Sequence, residues 1–104
     1  MIDVLIIGSG PAGYTAGIYA ARANLKTLMI SGFDEGGQLM LTTDVENYPG
    51  FEKGVQGPEL MSQMKKQAQH CGVEMLMDMV HTVDFSNKPF AVLTANGLFE
   101  KSTV

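Results

Sequence analysis

The sequence predicts an α/β fold, with a parallel sheet at its centre and a small β-meander after it. Three observations carry that prediction. An apolar run, Val4-Leu5-Ile6-Ile7, leads directly into Gly8-Ser9-Gly10-Pro11-Ala12-Gly13 and then into a helix-forming segment. A second apolar run, Thr27-Leu28-Met29-Ile30, follows at the spacing of a β-α-β unit. Beyond Gly72 the pattern changes to short strands separated by turn residues.

Ile2 to Ile7 reads as a buried parallel strand, apolar apart from Asp3 near its start. The Gly-x-Gly-x-x-Gly that follows has the layout of a dinucleotide-binding turn, in which each glycine has a separate task. Gly8 permits the tight turn off the strand. Gly10 lacks a Cβ, so the backbone can approach a pyrophosphate, and Gly13 lets the helix lie close against the strand. Pro11 falls in the first helical turn, where its missing N–H costs nothing. The free N–H groups and positive dipole end of this helix would face the phosphates. The helix runs from about Pro11 to Asn24 and carries small residues at Gly13, Ala16, Gly17 and Ala20. A mid-helix glycine costs about 1 kcal/mol relative to alanine, so Gly17 implies close packing on the sheet. Asn24 stops the helix. Thr27 to Ile30 is the second parallel strand, set beside the first by a right-handed crossover.

The stretch from Ser31 to Gly57 is long, polar and glycine-rich, yet holds too many apolar and aromatic residues for a linker. Loops of this length in compact domains are uncommon and are usually functional or disordered, and this one is expected to be ordered around a ligand. Gly57-Pro58 opens a second helix, with Glu59 suited to its dipole and Leu60, Met61, Met64, Ala68 and Cys71 as its apolar stripe. Gly72 ends it. The short strands that follow are Val73 to Met77, Met79 to Phe85, Phe90 to Thr94 and Leu98 to Val104, with turns at Ser86-Asn87-Lys88 and Ala95-Asn96-Gly97. Pro89 is expected to open an edge strand.

At 104 residues the chain allows one domain. Eleven acidic and seven basic residues give a net charge of −4, with Lys65-Lys66 the sole adjacent basic pair, so no nucleic-acid or anionic-membrane surface is expected. No apolar run reaches membrane-spanning length. Met1 passes straight into the first strand without a leader-like segment, and Cys71 is the single cysteine, so a cytoplasmic location is expected. The eight methionines read as adaptable core filler. His70 and His81 have no Cys, Asp or Glu at ligand spacing, so no metal is expected. Arg22 reads as a solvated helix residue and Cys71 as a packed thiol.

A nicotinamide-binding fingerprint puts an acid at the end of the second strand to hold a ribose hydroxyl. Here that position is Ser31, followed by Gly32, and the nearest acids are Asp34 and Glu35 in the loop. The ribose contact therefore either shifts to these acids or is made by Ser31 and backbone groups. Read locally, Gly36-Gly37 serves equally as a flexible loop and Asn47-Tyr48-Pro49-Gly50 equally as a turn.

Three segments in order carry a specific resemblance. They are Gly8-Ser9-Gly10-Pro11-Ala12-Gly13-Tyr14-Thr15-Ala16 with Tyr19-Ala20-Ala21-Arg22-Ala23, then Ser31 to Leu39 ending in Gly-Gly-Gln-Leu, then Thr42 to Phe51 with Gly57-Pro58-Glu59-Leu60 after it. The chain resembles, over nearly its whole length, the N-terminal FAD-binding part of the low-molecular-weight thioredoxin reductases, and the implied fold is a Rossmann-like FAD-binding domain. The resemblance implies that Gly8, Ser9, Gly10, Pro11, Ala12 and Gly13 hold the FAD pyrophosphate. It implies that Ser31, Gly32, Asp34, Glu35, Gly36, Gly37 and Gln38 run along the adenosine and diphosphate half. Gln38, Leu39, Thr43 and Asn47 would reach towards the ribityl chain and isoalloxazine ring. Neutral amides and hydroxyls suit that task, because they tune a flavin without adding charge.

The resemblance also implies parts that this sequence lacks. The family's redox centre is a Cys-x-x-Cys motif in a second, NADPH-binding domain, and Cys71 lies in no such motif. There is no second dinucleotide fingerprint. The family closes its FAD domain with an apolar strand ending in Ala-Thr-Gly and a further segment contacting the flavin, and Val104 falls where that strand would be starting. Residues 1–104 are therefore expected to be the N-terminal part of an FAD-binding domain, truncated, with no catalytic residue and no activity alone. In the full enzyme hydride would pass from NADPH to FAD, and electrons then to an enzyme disulfide and to thioredoxin. A homodimer is implied. Other readings are a ferredoxin–NADP reductase of the thioredoxin-reductase type, which lacks the Cys-x-x-Cys, and a peroxiredoxin-reducing flavoprotein, disfavoured because Met1 directly precedes the first strand. A stand-alone, non-catalytic nucleotide-binding module is the reading from outside the enzymes.

Overall fold

A computed structural model describes residues 1–104 and shows three layers: two helices, a parallel sheet and an antiparallel meander. The first strand, β1 (Val4–Ile7), turns into helix α1 (Pro11–Arg22), which returns the chain to β2 (Thr27–Ile30). These strands pair in parallel with Val4 opposite Thr27 and Ile7 opposite Ile30. β1 starts two residues later than the apolar pattern suggests. The reason is Asp3, whose carboxylate accepts the Lys26 N–H at 2.7 Å while its own N–H donates to the Lys26 carbonyl at 2.9 Å. Ile2 instead forms an isolated parallel bridge with Ser102.

α1 ends as Asn24 implies. Asn24 takes the left-handed conformation at φ 64°, its N–H donates to the Ala21 carbonyl and the Leu25 N–H reaches back to that of Ala20. This is the paired bonding that satisfies the last carbonyls of a helix. Gly17 faces the sheet, where an added Cβ would lie 3.1 Å from Val73 Cγ2, 3.5 Å from Ile6 Cδ1 and 3.7 Å from Met29 Cε. The helix interior therefore carries a glycine because the sheet leaves no room for a side chain.

The stretch after β2 is ordered. It forms a 3-10 turn (Gly37–Leu41) and a two-stranded antiparallel arm, β3 (Asp44–Val45) with β4 (Val55–Gln56). Gly57 then opens helix α2 (Gly57–Cys71). A Cβ on Gly57 would collide with the carbonyl oxygens of Leu39 and Thr42, so the helix starts against the backbone of the 3-10 turn. Gly72, at φ 111°, caps the helix. The stripe on α2 is buried at Leu60, Met61, Met64 and Ala68, with Cys71 half-buried.

The short strand after α2, β5 (Glu74–Leu76), is not part of the meander. It pairs in parallel with β2, giving the order β1-β2-β5, because α2 supplies the crossover that a parallel partner needs. The meander proper is β6 (Val80–Asp84), β7 (Phe90–Thr94) and β8 (Phe99–Ser102), antiparallel in that order. β7 is its central strand, which corrects the expectation that Pro89 opens an edge strand. Pro89 lies just before the ladder begins at Phe90, so its missing N–H removes no bond. After β8 the chain turns along the outer edge of β1, where Val104 N–H donates to Asp3 and Leu5 N–H donates to the Val104 carbonyl at 2.9 Å.

Two apolar clusters meet at the parallel sheet. Tyr14, Met29, Val45, Leu60, Met61, Met64, Ala68 and Val73 fill the helix side. Ile2, Leu28, Ile30 and Val92 fill the meander side. All four residues of β2 are buried, as a strand covered on both faces requires.

The crossing from β5 to β6 turns on Asp78, which is 2% exposed and which the sequence pattern did not single out. Its carboxylate accepts the N–H groups of Met79 (2.7 Å) and Asn96 (3.3 Å). The Thr94 hydroxyl, which also accepts the Leu98 N–H, is the main group holding the Asp78 carboxyl below the ordinary aspartate range. Burial acts against that shift and the two N–H bonds act with it.

Two outcomes follow for the native chain. Gly17→Val is expected to lower stability by about 2 kcal/mol, the usual scale of core overpacking, read as a lower denaturant midpoint at unchanged m-value. Asp78 has its lowered value only when folded, so its contribution is present above the unfolded carboxylate range and is lost as pH falls through the folded value. Asp78→Asn should therefore lower the melting temperature near pH 7 and shrink its decline below pH 4. Equal acid-limb slopes for the two proteins would contradict this.

Candidate cofactor-binding site

The open end of the parallel sheet, where β1 and β2 finish, brings two loops together. The first is the glycine turn. Gly8 sits at φ 111°, a conformation that favours glycine, and its N–H donates to the Ile30 carbonyl at the end of β2. Gly10 caps α1 with φ −85° and ψ −173°. A Cβ on Gly8 or Gly10 would meet nothing within 4 Å, so both face open space. Gly13 is the reverse case. A Cβ there would run into the Gly8 carbonyl, with its carbon at 3.2 Å, so this glycine serves packing rather than ligand access.

No side chain caps the start of α1 and no acid stands in its first turn. Pro11 has no N–H to offer, while the N–H groups next in line have no intrahelical acceptor. The result is a bare cradle of backbone donors at the positive end of a helix dipole, open where a side chain would otherwise project. A diphosphate fits such a cradle in both charge and shape.

The second loop begins at Ser31. Its N–H donates to the Leu76 carbonyl, and its hydroxyl is within reach of the Gly32 (2.8 Å) and Leu76 (3.4 Å) carbonyls. Gly32, Gly36 and Gly37 all take positive φ, which lets the chain double back over the glycine turn. A Cβ on Gly37 would lie 3.7 Å from the Cα of Gly10. Ser9 links the loops directly. Its side chain is 4% exposed, its hydroxyl donates to the Ser31 carbonyl at 3.1 Å and it accepts the Gly36 N–H at 3.0 Å.

The two acids of this loop diverge. Asp34 is exposed, and its carbonyl accepts the Gly37 N–H. Glu35 instead forms an ion pair with Lys65 of α2. Behind that pair lies Tyr14, 1% exposed, whose phenol is pushed up first by burial and then by the Glu35 charge, against opposing effects of Ser9 and Lys65. The Glu35 carboxylate holds the Lys65 ammonium above the ordinary lysine value. Asp34, Gln38, Leu41 and neighbouring residues line a cavity of about 630 Å³ beside this loop.

Gln38 and Leu39 lie on the 3-10 turn, Gln38 exposed and Leu39 packed against the helix-side core. Thr43 and Asn47 lie further along, both exposed and with side chains free of hydrogen bonds within the chain. Asn47 borders a separate open cavity of about 640 Å³ formed by Glu46 to Glu52. The fold thus joins Gly8–Gly13 to Ser31–Leu39 by direct bonds, whereas Thr43 and Asn47 flank β3 and make no bond to either loop. Tyr14 and Lys65 were not legible as site neighbours. Tyr14 looks like an ordinary helix residue, and Lys65 meets Glu35 only because α2 packs beside the loop.

Residues 2–102 match the family described as pyridine nucleotide-disulphide oxidoreductase. A thioredoxin reductase of Rickettsia felis is 60% identical over 94 residues, which are 90% of this chain and 30% of that protein. One from Coxiella burnetii is 50% identical over 97 residues, 93% of this chain and again 30% of the relative. Among solved structures, a thioredoxin reductase from Giardia duodenalis superposes with a TM-score of 0.91 at 44% identity, covering 98% of this chain and 33% of that one. The chain therefore spans about a third of the length of these relatives. A bare glycine cradle clipped to a second glycine loop, on a sheet of this topology and with a match running almost end to end, places the chain in the pyridine nucleotide-disulphide oxidoreductase family.

Proposed function

We propose that this chain is the FAD-binding portion of a thioredoxin reductase, forming the N-terminal part of its FAD domain. The observation that carries the proposal is the cradle at the start of α1, which no side chain caps and where Gly8 and Gly10 leave the space over the turn open. The names of the relatives support the same reading.

In this reading the turn from Gly8 to Gly13 binds the FAD diphosphate by backbone N–H groups and the helix dipole. The loop from Ser31 to Gln38 lies along the adenosine half, with the exposed Asp34 as the carboxylate available to a ribose hydroxyl, because Glu35 is engaged by Lys65. Gln38, Leu39, Thr43 and Asn47 orient the ribityl chain and flavin ring with neutral groups. When bound, FAD supplies the electron chemistry between a nicotinamide and a disulfide. This chain contributes binding and orientation only, and alone it is inactive. The reducing nucleotide is NADP in a further domain, in keeping with a relative from Arabidopsis thaliana that is named NADPH-dependent thioredoxin reductase 3. Thioredoxin is the acceptor, the assembly a homodimer, and the compartment the cytoplasm. No helix is long and apolar enough to cross a membrane.

Two measurements test the proposal. The mass and C-terminal peptides of the native polypeptide are expected to show a longer chain carrying Cys-x-x-Cys beyond Val104. A longer chain without that motif would favour the ferredoxin-linked reductase instead, and a natural end at Val104 would leave a nucleotide-binding module. Gly10→Ala separates cofactor binding from folding. The added methyl meets no protein atom, so stability should stay within about 0.5 kcal/mol of the parent. FAD retention, read by visible absorbance of the purified native protein, should fall at least tenfold. Full retention would count against a diphosphate at this cradle.

A further inference from the structure

The geometry points to Ser9 as a positioning residue: its hydroxyl fixes the distance between the diphosphate cradle and the ribose-side loop, and touches no cofactor atom itself. This rests on the FAD reading given above.

A serine hydroxyl has one proton to donate and two lone pairs to accept with. At Ser9 the proton is used on the Ser31 carbonyl and one lone pair on the Gly36 N–H. The Tyr14 phenol stands against the same hydroxyl. The residue is 4% exposed, and its hydroxyl is turned to the second loop through both bonds. With its proton committed and its remaining face covered, it has nothing to offer a phosphate oxygen, although its own loop forms the cradle.

Its two partners sit at functional points of the second loop. Ser31 ends β2 at the position where a ribose-binding acid is usually found. Gly36, in the left-handed region at φ 91°, opens the 3-10 turn that carries Gln38 and Leu39. A single hydroxyl therefore ties the start and the far side of the ribose loop to the glycine turn, over separations of 22 and 27 residues in sequence. Gly37 then passes so near Gly10 that an added Cβ would touch its Cα at 3.7 Å, so any widening at Ser9 opens the gap between the two loops. Without the hydroxyl, the Gly36 N–H and the Ser31 carbonyl both lose a buried partner, and the second loop loses its register on the first.

The test uses Ser9→Ala in the full-length native protein, with Tyr14→Phe as a control that leaves both backbone bonds in place. Two readouts are taken: amide exchange at Gly36 in the apoprotein, and the FAD dissociation constant. Ser9→Ala is expected to accelerate Gly36 exchange and to weaken FAD about tenfold, while Tyr14→Phe changes affinity less than threefold. The melting temperature of each apoprotein is recorded beside them. A core variant, Met64→Ala, shows what general destabilisation does to affinity. Unchanged Gly36 exchange, unchanged FAD affinity, or an affinity loss matched by Met64→Ala at equal melting temperature would each overturn the assignment. If the parent protein binds no FAD at all, the FAD reading itself fails, and the positioning role goes with it. Should Ser9→Ala not fold, Ser9→Cys, closer in volume, is read in the same way.

Discussion

The complete burial of β2 is the constraint on which the rest of this structure depends. The helix-side cluster reaches it through Met29 and the meander-side cluster through Leu28 and Ile30. It is the one strand with a parallel partner on each side. Burial on both faces demands an unbroken apolar run, which is why Leu28-Met29-Ile30 carries no polar interruption. It also means that the chain must leave β2 at a fixed point and in a fixed direction. Ser31 and the loop behind it inherit their position from that strand, and the glycine turn inherits its own through the bond from Gly8 to Ile30. Site and core are therefore not separable layers of design.

Within that frame, the glycines of the first turn divide their work in a way that physical contact makes explicit. Gly8 and Gly10 face empty space and leave the start of α1 uncovered, while Gly13 is pressed against the Gly8 carbonyl. An added methyl at Gly10 would meet only open space, and one at Gly13 the protein itself. The acids of the second loop are divided in a similar manner. Lys65 draws Glu35 towards α2 and leaves Asp34 at the exposed lip. The difference between the two acids is made by a helix that starts more than twenty residues later in the chain.

Much of this was legible in the sequence, for reasons that can be named. The β1-turn-α1-β2 unit is a local pattern: strand, glycines at fixed spacing, helix and stop all lie within one short stretch, and Asn24 caps where its side chain permits φ above zero. The α2 stripe follows from helical periodicity. What escaped was non-local. β5 looks like any short strand of the meander, and only the crossover through α2 makes it a parallel neighbour of β2. Asp78 sits between two exposed methionines and has no periodic signature, because its partners Thr94 and Asn96 lie at the end of β7 and in the turn after it. Pro89 was misplaced by the general rule for strands, since the residue lies outside the ladder and not at its margin. The bonds from the Ser9 hydroxyl to Ser31 and Gly36 are equally non-local, and no sequence pattern encodes them.

Gly57 has a consequence for how this region can vary in length. Its Cα rests against the carbonyls of Leu39 and Thr42, and its N–H donates to the carbonyl of Thr43. The first residue of α2 is in effect soldered to the 3-10 turn that carries Gln38 and Leu39. Insertions or deletions between Ser31 and Thr43 would have to displace a core helix to be accommodated. Between Glu46 and Lys53 the chain is tied to the core by side chains instead, through Tyr48 and Phe51. The half of the long loop next to the cradle is thus held to a fixed length by the helix that follows it.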